Sequence, residues 1–403
     1  MRRALALPFL LAVLAAASSS EGVLPPPVNA QIGFAVSVDG NWLAVGAPRD
    51  DEAGEDAGAV FLYEWDGFCW RLQDKITAGN AQAEALFGSS LSLRGDLLAV
   101  GAPGADTVYV FFQNEGVWGE QVRKTVTDES GLRRFGHSVA ITSVWLAVGE
   151  VDPHGREAGV VHVFQAPLWS EAPPVLALAE PQERARFGHA LSLRGGTLAV
   201  GIPGSGQGAG AVHVFREQGG VWARQAVLTA GDGGAGDQLG HSVAVNDEQD
   251  LIVAGAPTAG AGNEGAAYVF AFEDNAWQQV SKLSGVAGEQ SGLAVAIAGD
   301  RILVGAPFSS AGAPLSGAIR VFEREDGPWA QEEVLSDPVN GRPYDLHGFS
   351  VTASGGRAAA GAPLADRGAN ASGSTYSFNC IDVPTIASGQ KARSLSVSRG
   401  EDR

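Results

Sequence analysis

The chain has 403 residues, 45 acidic against 27 basic, for a formal net charge of −18. That charge argues against DNA, RNA or an anionic membrane as the main partner, since each would repel the chain. The length exceeds an ordinary small domain, but a repeat of about 50 residues lets such a chain form one closed array.

The N-terminal segment reads as a signal peptide, residues 1–20. Arg2 and Arg3 supply the positive start, residues 4–16 an apolar core, and 15–17 small residues for cleavage. The apolar run falls short of the ~20 residues that span a bilayer, and no later run is long enough. The mature chain is therefore expected to be exported, soluble and monomeric, without a membrane span.

Residues 21–387 repeat one phrase seven times. A first glycine stands at Gly33, Gly88, Gly136, Gly188, Gly240, Gly292 and Gly348. A second follows at Gly46, Gly101, Gly149, Gly201, Gly255, Gly305 and Gly361. The offset between the two is 13 residues except in the fifth copy, where it is 15. The fourth copy shows the unit. Residues 189–193 alternate and turn at Gly195 and Gly196. Residues 197–201 form a nearly continuous apolar run, as in a strand buried on both faces. A glycine-rich loop leads to 211–215, β-branched and aromatic, and a second turn to a more polar strand over 221–228 that opens with Trp222. No helical period appears after the signal segment.

Four antiparallel strands repeated seven times predict an all-β fold, a seven-bladed β-propeller of four-stranded antiparallel blades. Aromatic residues mark the third strands (Phe111, Phe215, Phe322) and tryptophans the fourth (Trp118, Trp222, Trp277). Their recurrence in nearly every blade points to packing between blades rather than to sugar stacking. The seventh copy lacks the tryptophan. Its fourth strand could come from 381–386 in line, although Pro384 weakens that segment, or from 22–25 at the N-terminus.

The paired motifs resemble FG-GAP repeats, the units of the integrin alpha-chain propeller. Phe87-Gly88, Phe135-Gly136 and Phe187-Gly188 match the first pair, and Gly46-Ala47-Pro48, Gly101-Ala102-Pro103 and Gly255-Ala256-Pro257 match the second. The resemblance covers about 32–378 and implies a seven-bladed propeller used in extracellular recognition, the head propeller alone. Integrin repeats often hold calcium between the two motifs. Here that link is only three or four residues long, or five at 246–250, too short for six to eight oxygen ligands, so no calcium and no other cofactor is expected.

Several residues invite a chemical reading. His137, His189 and His241 each follow the first glycine directly, but packed sheets stand roughly 10 Å apart, which predicts that they do not meet and that no metal site forms. Asp50, Asp51, Glu52, Glu55 and Asp56 make an acidic loop, read as solvated. Neither a nucleophile elbow nor a phosphate loop has the helix it needs. Because strands alternate in direction, the loops between second and third strands share a face with the links between blades. On this long-loop face Arg133, Arg134, Arg184 and Arg186 occupy adjacent links, with His154 and Arg156 in the loop between them. These six form the candidate site for an anionic ligand, with pairing to nearby acids as the alternative. Cys69 and Cys380, in the first and last repeats, could be bonded in an oxidising compartment or stand as separate thiols. Asn370 heads the sole N-glycosylation sequon, and residues 388–403 read as a disordered polar tail.

The reading is a secreted, non-catalytic recognition or adhesion module that binds an extracellular protein or glycan. The alternative is an extracellular hydrolase or lyase acting on glycans at the central mouth of the ring. A third reading is a calcium-dependent adhesin.

Overall fold

The computed structural model describes residues 11–14, 29–126, 134–152, 154–167, 169, 174–180, 182–324, 327–336, 342–365 and 372–379. They form seven antiparallel sheets of four strands. The fourth blade runs Leu191–Arg194, Thr197–Ile202, Ala211–Gln218 and Val221–Leu228, in that order from the axis outward. The second strand is buried along its whole length, whereas the outer strand alternates and faces solvent on one side. Ser205–Gly208, in the loop between the second and third strands, makes a tight turn in which Gly206 and Gln207 take positive φ (58° and 61°).

Inner strands of successive blades lie side by side, and Ser350–Ser354 of blade 7 meets Val36–Asp39 of blade 1, so the array closes. Hydrophobic clusters straddle blade boundaries. Leu62 and Val60 of blade 1 share one core with Leu98, Val100 and Phe111 of blade 2. A fully buried Leu or Val of this kind contributes about 1.5–3 kcal/mol. The tryptophans do pack between blades: Trp118 meets Trp42 of the preceding blade edge-on at 5.3 Å, and Trp222 meets Trp145 at 5.5 Å. A β-bulge recurs beside the aromatic markers, between Val110 and Phe111, Val214 and Phe215, and Val321 and Phe322. The bulge re-aims that side chain toward the neighbouring sheet.

The two glycines of the repeat turn out to be one contact. The second glycine of each blade presses against the backbone carbonyl of the first glycine in the next blade, as at Gly201 and Gly240, and as at Gly361 and Gly33 across the closure. A Cβ at Gly201 would overlap that carbonyl oxygen. Hydroxyls reinforce the same seam: Ser138 Oγ donates to Gly188 O (2.6 Å) and Ser350 Oγ to Gly33 O (2.8 Å). Nearer the axis, Ser37, Ser92, Ser192 and Thr352 each accept a backbone N–H from the following blade.

The outer strand of blade 7 is Leu11–Leu14, antiparallel to Ser374–Asn379 with Leu11 opposite Phe378. It comes from the apolar run read as the core of a signal peptide, not from either segment expected to supply it. Those segments, 22–25 and 381–386, lie outside the described residues. An edge strand takes any apolar stretch that can reach it in register, and sequence spacing does not say which one does.

Candidate functional site

The long loops and the blade links meet on one face; Arg184 and Arg186 lie in a link there, and Arg134 begins the inner strand of blade 3 opposite Val151. The backbone N–H of Arg184 donates to Gly155 O (2.8 Å), and its side chain packs on that glycine, so the link and the 152–157 loop are in contact. His154 and Arg156 are exposed on this loop. Asp152 organises it, accepting from the backbone N–H of His154, Arg156 and Glu157, and stands 3.9 Å from Arg156 Nε. Burial raises the Asp152 carboxyl, but those donors outweigh it and hold the carboxyl below its ordinary range. Arg134, Arg184 and Arg186 make no ion pair among the described residues. Among the described residues Arg156 has an ion-pair partner, Asp152; Asp128 and Glu129, acids that the alternative of pairing would use, lie outside them. Arg133, Asn370 and Cys380 lie outside the described residues. The Cys69 thiol approaches Asp66 Oδ2 at 3.6 Å.

The expectation that the repeat histidines stay apart fails. His137 Nε2 lies 3.2 Å from His189 Nδ1, and the rings of His189 and His241 are centred 4.7 Å apart. The ~10 Å spacing applies to packed sheet faces. At the axis the inner strands converge, and residues just after the first glycine point at one another across blade boundaries. Phe34 and Phe349 meet in the same way at 5.3 Å. The long-loop mouth of the channel is therefore two-sided, with three imidazoles on one arc and two phenyl rings on the other. His241 Nδ1 faces Leu293 O at 3.2 Å; a carbonyl only accepts, so Nδ1 carries the proton. Burial lowers His137 to about 4 and His189 well below its usual value, with the Arg186 charge acting in the same direction. Near neutral pH this arc is uncharged and Arg186 is the cation beside it. Among the described residues no group of three or more His, Cys, Asp or Glu is arranged to hold a metal ion.

A second histidine position lies on the third strands. His162 Nε2 meets Glu150 Oε2 at 2.6 Å in the buried interior of blade 3, where Glu150 replaces the alanine of Gly-Ala-Pro. The equivalent His213 of blade 4 is buried against Phe187, and among the described residues its Nδ1 has no hydrogen-bond partner. Burial, aided by Arg224, lowers it to about 4, against ~6.5 in the unfolded chain. Between those values the unfolded chain binds a proton that folded His213 refuses, so stability falls as pH drops through this window. We predict that His213→Phe, which places the Phe61 side chain type at the equivalent site, reduces the stability lost between pH 7 and pH 5 by on the order of 2 kcal/mol. Urea midpoints at the two pH values measure this, and an unchanged difference would refute it.

The acidic loop of blade 1 is partly neutralised by Lys75 of that blade's outer strand, Trp70–Ile76. Asp50 is fully buried, and its Oδ1 accepts from Lys75 Nζ (2.9 Å) and from Glu52 N (3.2 Å). Lys75 also binds Glu52 and draws that carboxyl below its ordinary range. The ammonium stands where the loop's negative charge converges, so the loop is partly buried rather than fully solvated as read from the sequence.

At the opposite, tight-turn mouth a funnel of about 1100 Å3 opens, lined by Asp39, Arg94, Asp96, Phe112, Trp145 and Asp247 among others. A narrower cavity of about 140 Å3 lies between the inner strands along the axis. Sequence reasoning missed this face. The available signal was the two extra residues in the fifth copy, which lengthen one turn over the axis.

The FG-GAP repeat family matches residues 28–63, 70–111 and 222–270. Comparison with curated proteins gave no match. Among solved structures, provisionally assigned 6-phosphogluconolactonases of Bacteroides uniformis and Bacteroides fragilis are similar, each at 14% identity and TM-score 0.52. The alignments cover 75% and 74% of this chain and 85% and 82% of theirs. The hydrazine synthase structure of Kuenenia stuttgartiensis aligns at 11% identity and TM-score 0.56, over 85% of this chain and 96% of that one. At such identities the likeness shows the fold alone.

Proposed function

The chain is an FG-GAP repeat β-propeller resembling the integrin alpha head, and we propose from it a secreted recognition or adhesion module that binds an anionic extracellular protein or glycan on its long-loop face. The observation that carries this reading is the set of arginines Arg134, Arg184 and Arg186, which make no ion pair among the described residues in a protein of net charge −18. A guanidinium with free donors suits carboxylate or sulfate, which it can bind in a bidentate manner. His154 and Arg156 extend the basic surface outward, and the uncharged imidazole arc adds hydrogen-bonding groups at the axis. No metal or cofactor enters this reading.

The hydrolase or lyase alternative needs carboxylates free to exchange protons at the central mouth. Asp39 and Asp247 do come together at the tight-turn mouth, but each accepts from Arg94. The alternative gains nothing from them. Removal of residues 1–20 on export would take away Leu11–Leu14 and open the edge of blade 7. The closure to blade 1 would remain, through Ile32 N to Ser372 O (3.0 Å), Val38 N to Thr352 Oγ1 (3.1 Å) and the Gly361–Gly33 contact.

Replacing Arg133, Arg134, Arg184 and Arg186 together by Ala is predicted to weaken binding to immobilised sulfated glycans by at least about tenfold, equivalent to ~1.4 kcal/mol. Circular dichroism should stay unchanged. Equal retention of variant and wild type on the array would end this reading of the face.

A further inference from the structure

The first turn of a blade, between inner and second strand, is short around most of the ring, with Gly40, Gly95, Gly195, Gly299 and Gly355 in five of them. Blade 5 differs. Asn246 braces its longer turn by accepting from Asp250 N (3.1 Å) and Leu251 N (2.9 Å). Gln249 docks the turn on blade 4 by accepting from Gly196 N (3.2 Å) and Thr197 Oγ1 (3.1 Å). Asp247 is thereby carried out over the axis. Its Oδ1 accepts from Arg94 Nη2 of blade 2 (2.7 Å) and lies 3.2 Å from Arg194 Nε of blade 4.

Arg94 and Arg194 hold the same place in their repeats, at the end of the inner strand, and they flank blade 3. Their positions are set without Asp247. Arg94 Nη1 donates to Asp39 (3.3 Å), which is itself fixed by Gly95 N (2.8 Å) and Ser354 Oγ (2.8 Å). Arg194 Nη1 donates to its neighbour's carbonyl, Leu193 O (3.0 Å). Two anchored guanidiniums thus converge on one carboxylate oxygen. The carboxylate belongs to a side chain that is 61% exposed and, among the described residues, held by these two contacts alone. Ion pairs this exposed are weak and readily exchanged. The funnel outside them has Phe112 and Trp145 on its wall, which suits a carboxylate carried on an apolar body.

We propose that Arg94 and Arg194 form a carboxylate-binding clamp at the tight-turn mouth of the channel, and that Asp247 fills it in cis as a tethered competitor. The ligand class is an acidic peptide, whose side-chain carboxylate displaces Asp247 and whose neighbouring residues lie along the funnel. The clamp is independent of the long-loop face. A tethered group competes at an effective concentration set by its loop, so its removal raises the apparent affinity for a free carboxylate.

Calorimetric titration of the full chain with N-acetylaspartate tests this. Asp247→Ala should bind at least about tenfold more tightly than wild type, and Asp247→Glu should bind like wild type. Adding Arg94→Gln or Arg194→Gln to Asp247→Ala should abolish the gain, whereas the long-loop arginine variant should bind like wild type. Unchanged or weaker binding by Asp247→Ala would overturn the proposal, as would a gain that survives loss of either arginine. Asp247→Asn keeps the size of the side chain and should show an intermediate gain. If both Asp247→Ala and Asp247→Asn lost their fold by circular dichroism, the contact would be a structural tie and the clamp would be refuted.

Discussion

Gly201→Ala is expected to destabilise the ring by about 3 kcal/mol or more, one added methyl group acting at a blade boundary. Gly201 sits in the fully buried second strand of blade 4, and a Cβ there would overlap Gly240 O, a backbone atom of blade 5. Overpacking typically costs 1–3 kcal/mol where side chains can shift. Here the obstacle is backbone and cannot rotate away. The blades must separate, which also loosens the packing of both sheets. Gly219→Ala provides the contrast. It has φ 61° but nothing within 4 Å of the new atom, so its cost is conformational alone, about 1 kcal/mol. Urea unfolding of the two variants separates the contact from the backbone preference. Equal midpoints would show that the seam between glycines does not hold the blades together.

Arg320→Met should cost about 3–5 kcal/mol, because it strands a buried carboxylate. Arg320 Nε donates to Glu289 Oε2 (2.9 Å), and Ser309 Oγ holds the other oxygen (2.8 Å). Both members of the ion pair are buried. The same third-strand position carries Tyr109, Tyr268 and Tyr376 in three other blades, so the fold accepts an aromatic ring there. The double variant Arg320→Tyr with Glu289→Gln should recover most of the loss, since it removes both charges together. A single variant within about 1 kcal/mol of wild type would mean that Glu289 is well solvated without its partner.

These two positions show how differently a repeat encodes its parts. The glycine pairs recur in every copy, so the sequence announces that something at those positions is required seven times. The Glu289–Arg320 pair occurs once and leaves no periodic trace. Glu289 lies in a blade link and Arg320 on a third strand, 31 residues later. Their meeting follows from how the link folds back over its own neighbour, which spacing alone does not express.

The candidate site divides along the same line. That the links and long loops share a face could be read from strand alternation, so Arg184 was placed beside the 152–157 loop in advance. The histidine arc could not be, because the distance between equivalent residues depends on how far they lie from the axis. At the rim blades are sheets apart; at the mouth their side chains touch. Asp247 was visible only as a two-residue irregularity, and reaching across the axis is a property of the closed ring.

What the sequence determined by itself was the unit and its number. Seven glycine pairs, continuous apolar second strands and recurring aromatic markers admit one economical burial of their surface, a ring of seven sheets. What the tertiary structure decided was every contact between residues of unlike repeats: the imidazoles at one mouth, the arginine clamp at the other, and the N-terminal strand on blade 7. Local periodicity sets which face of a strand is apolar. Closure and convergence set which polar groups from different blades end up within hydrogen-bonding reach.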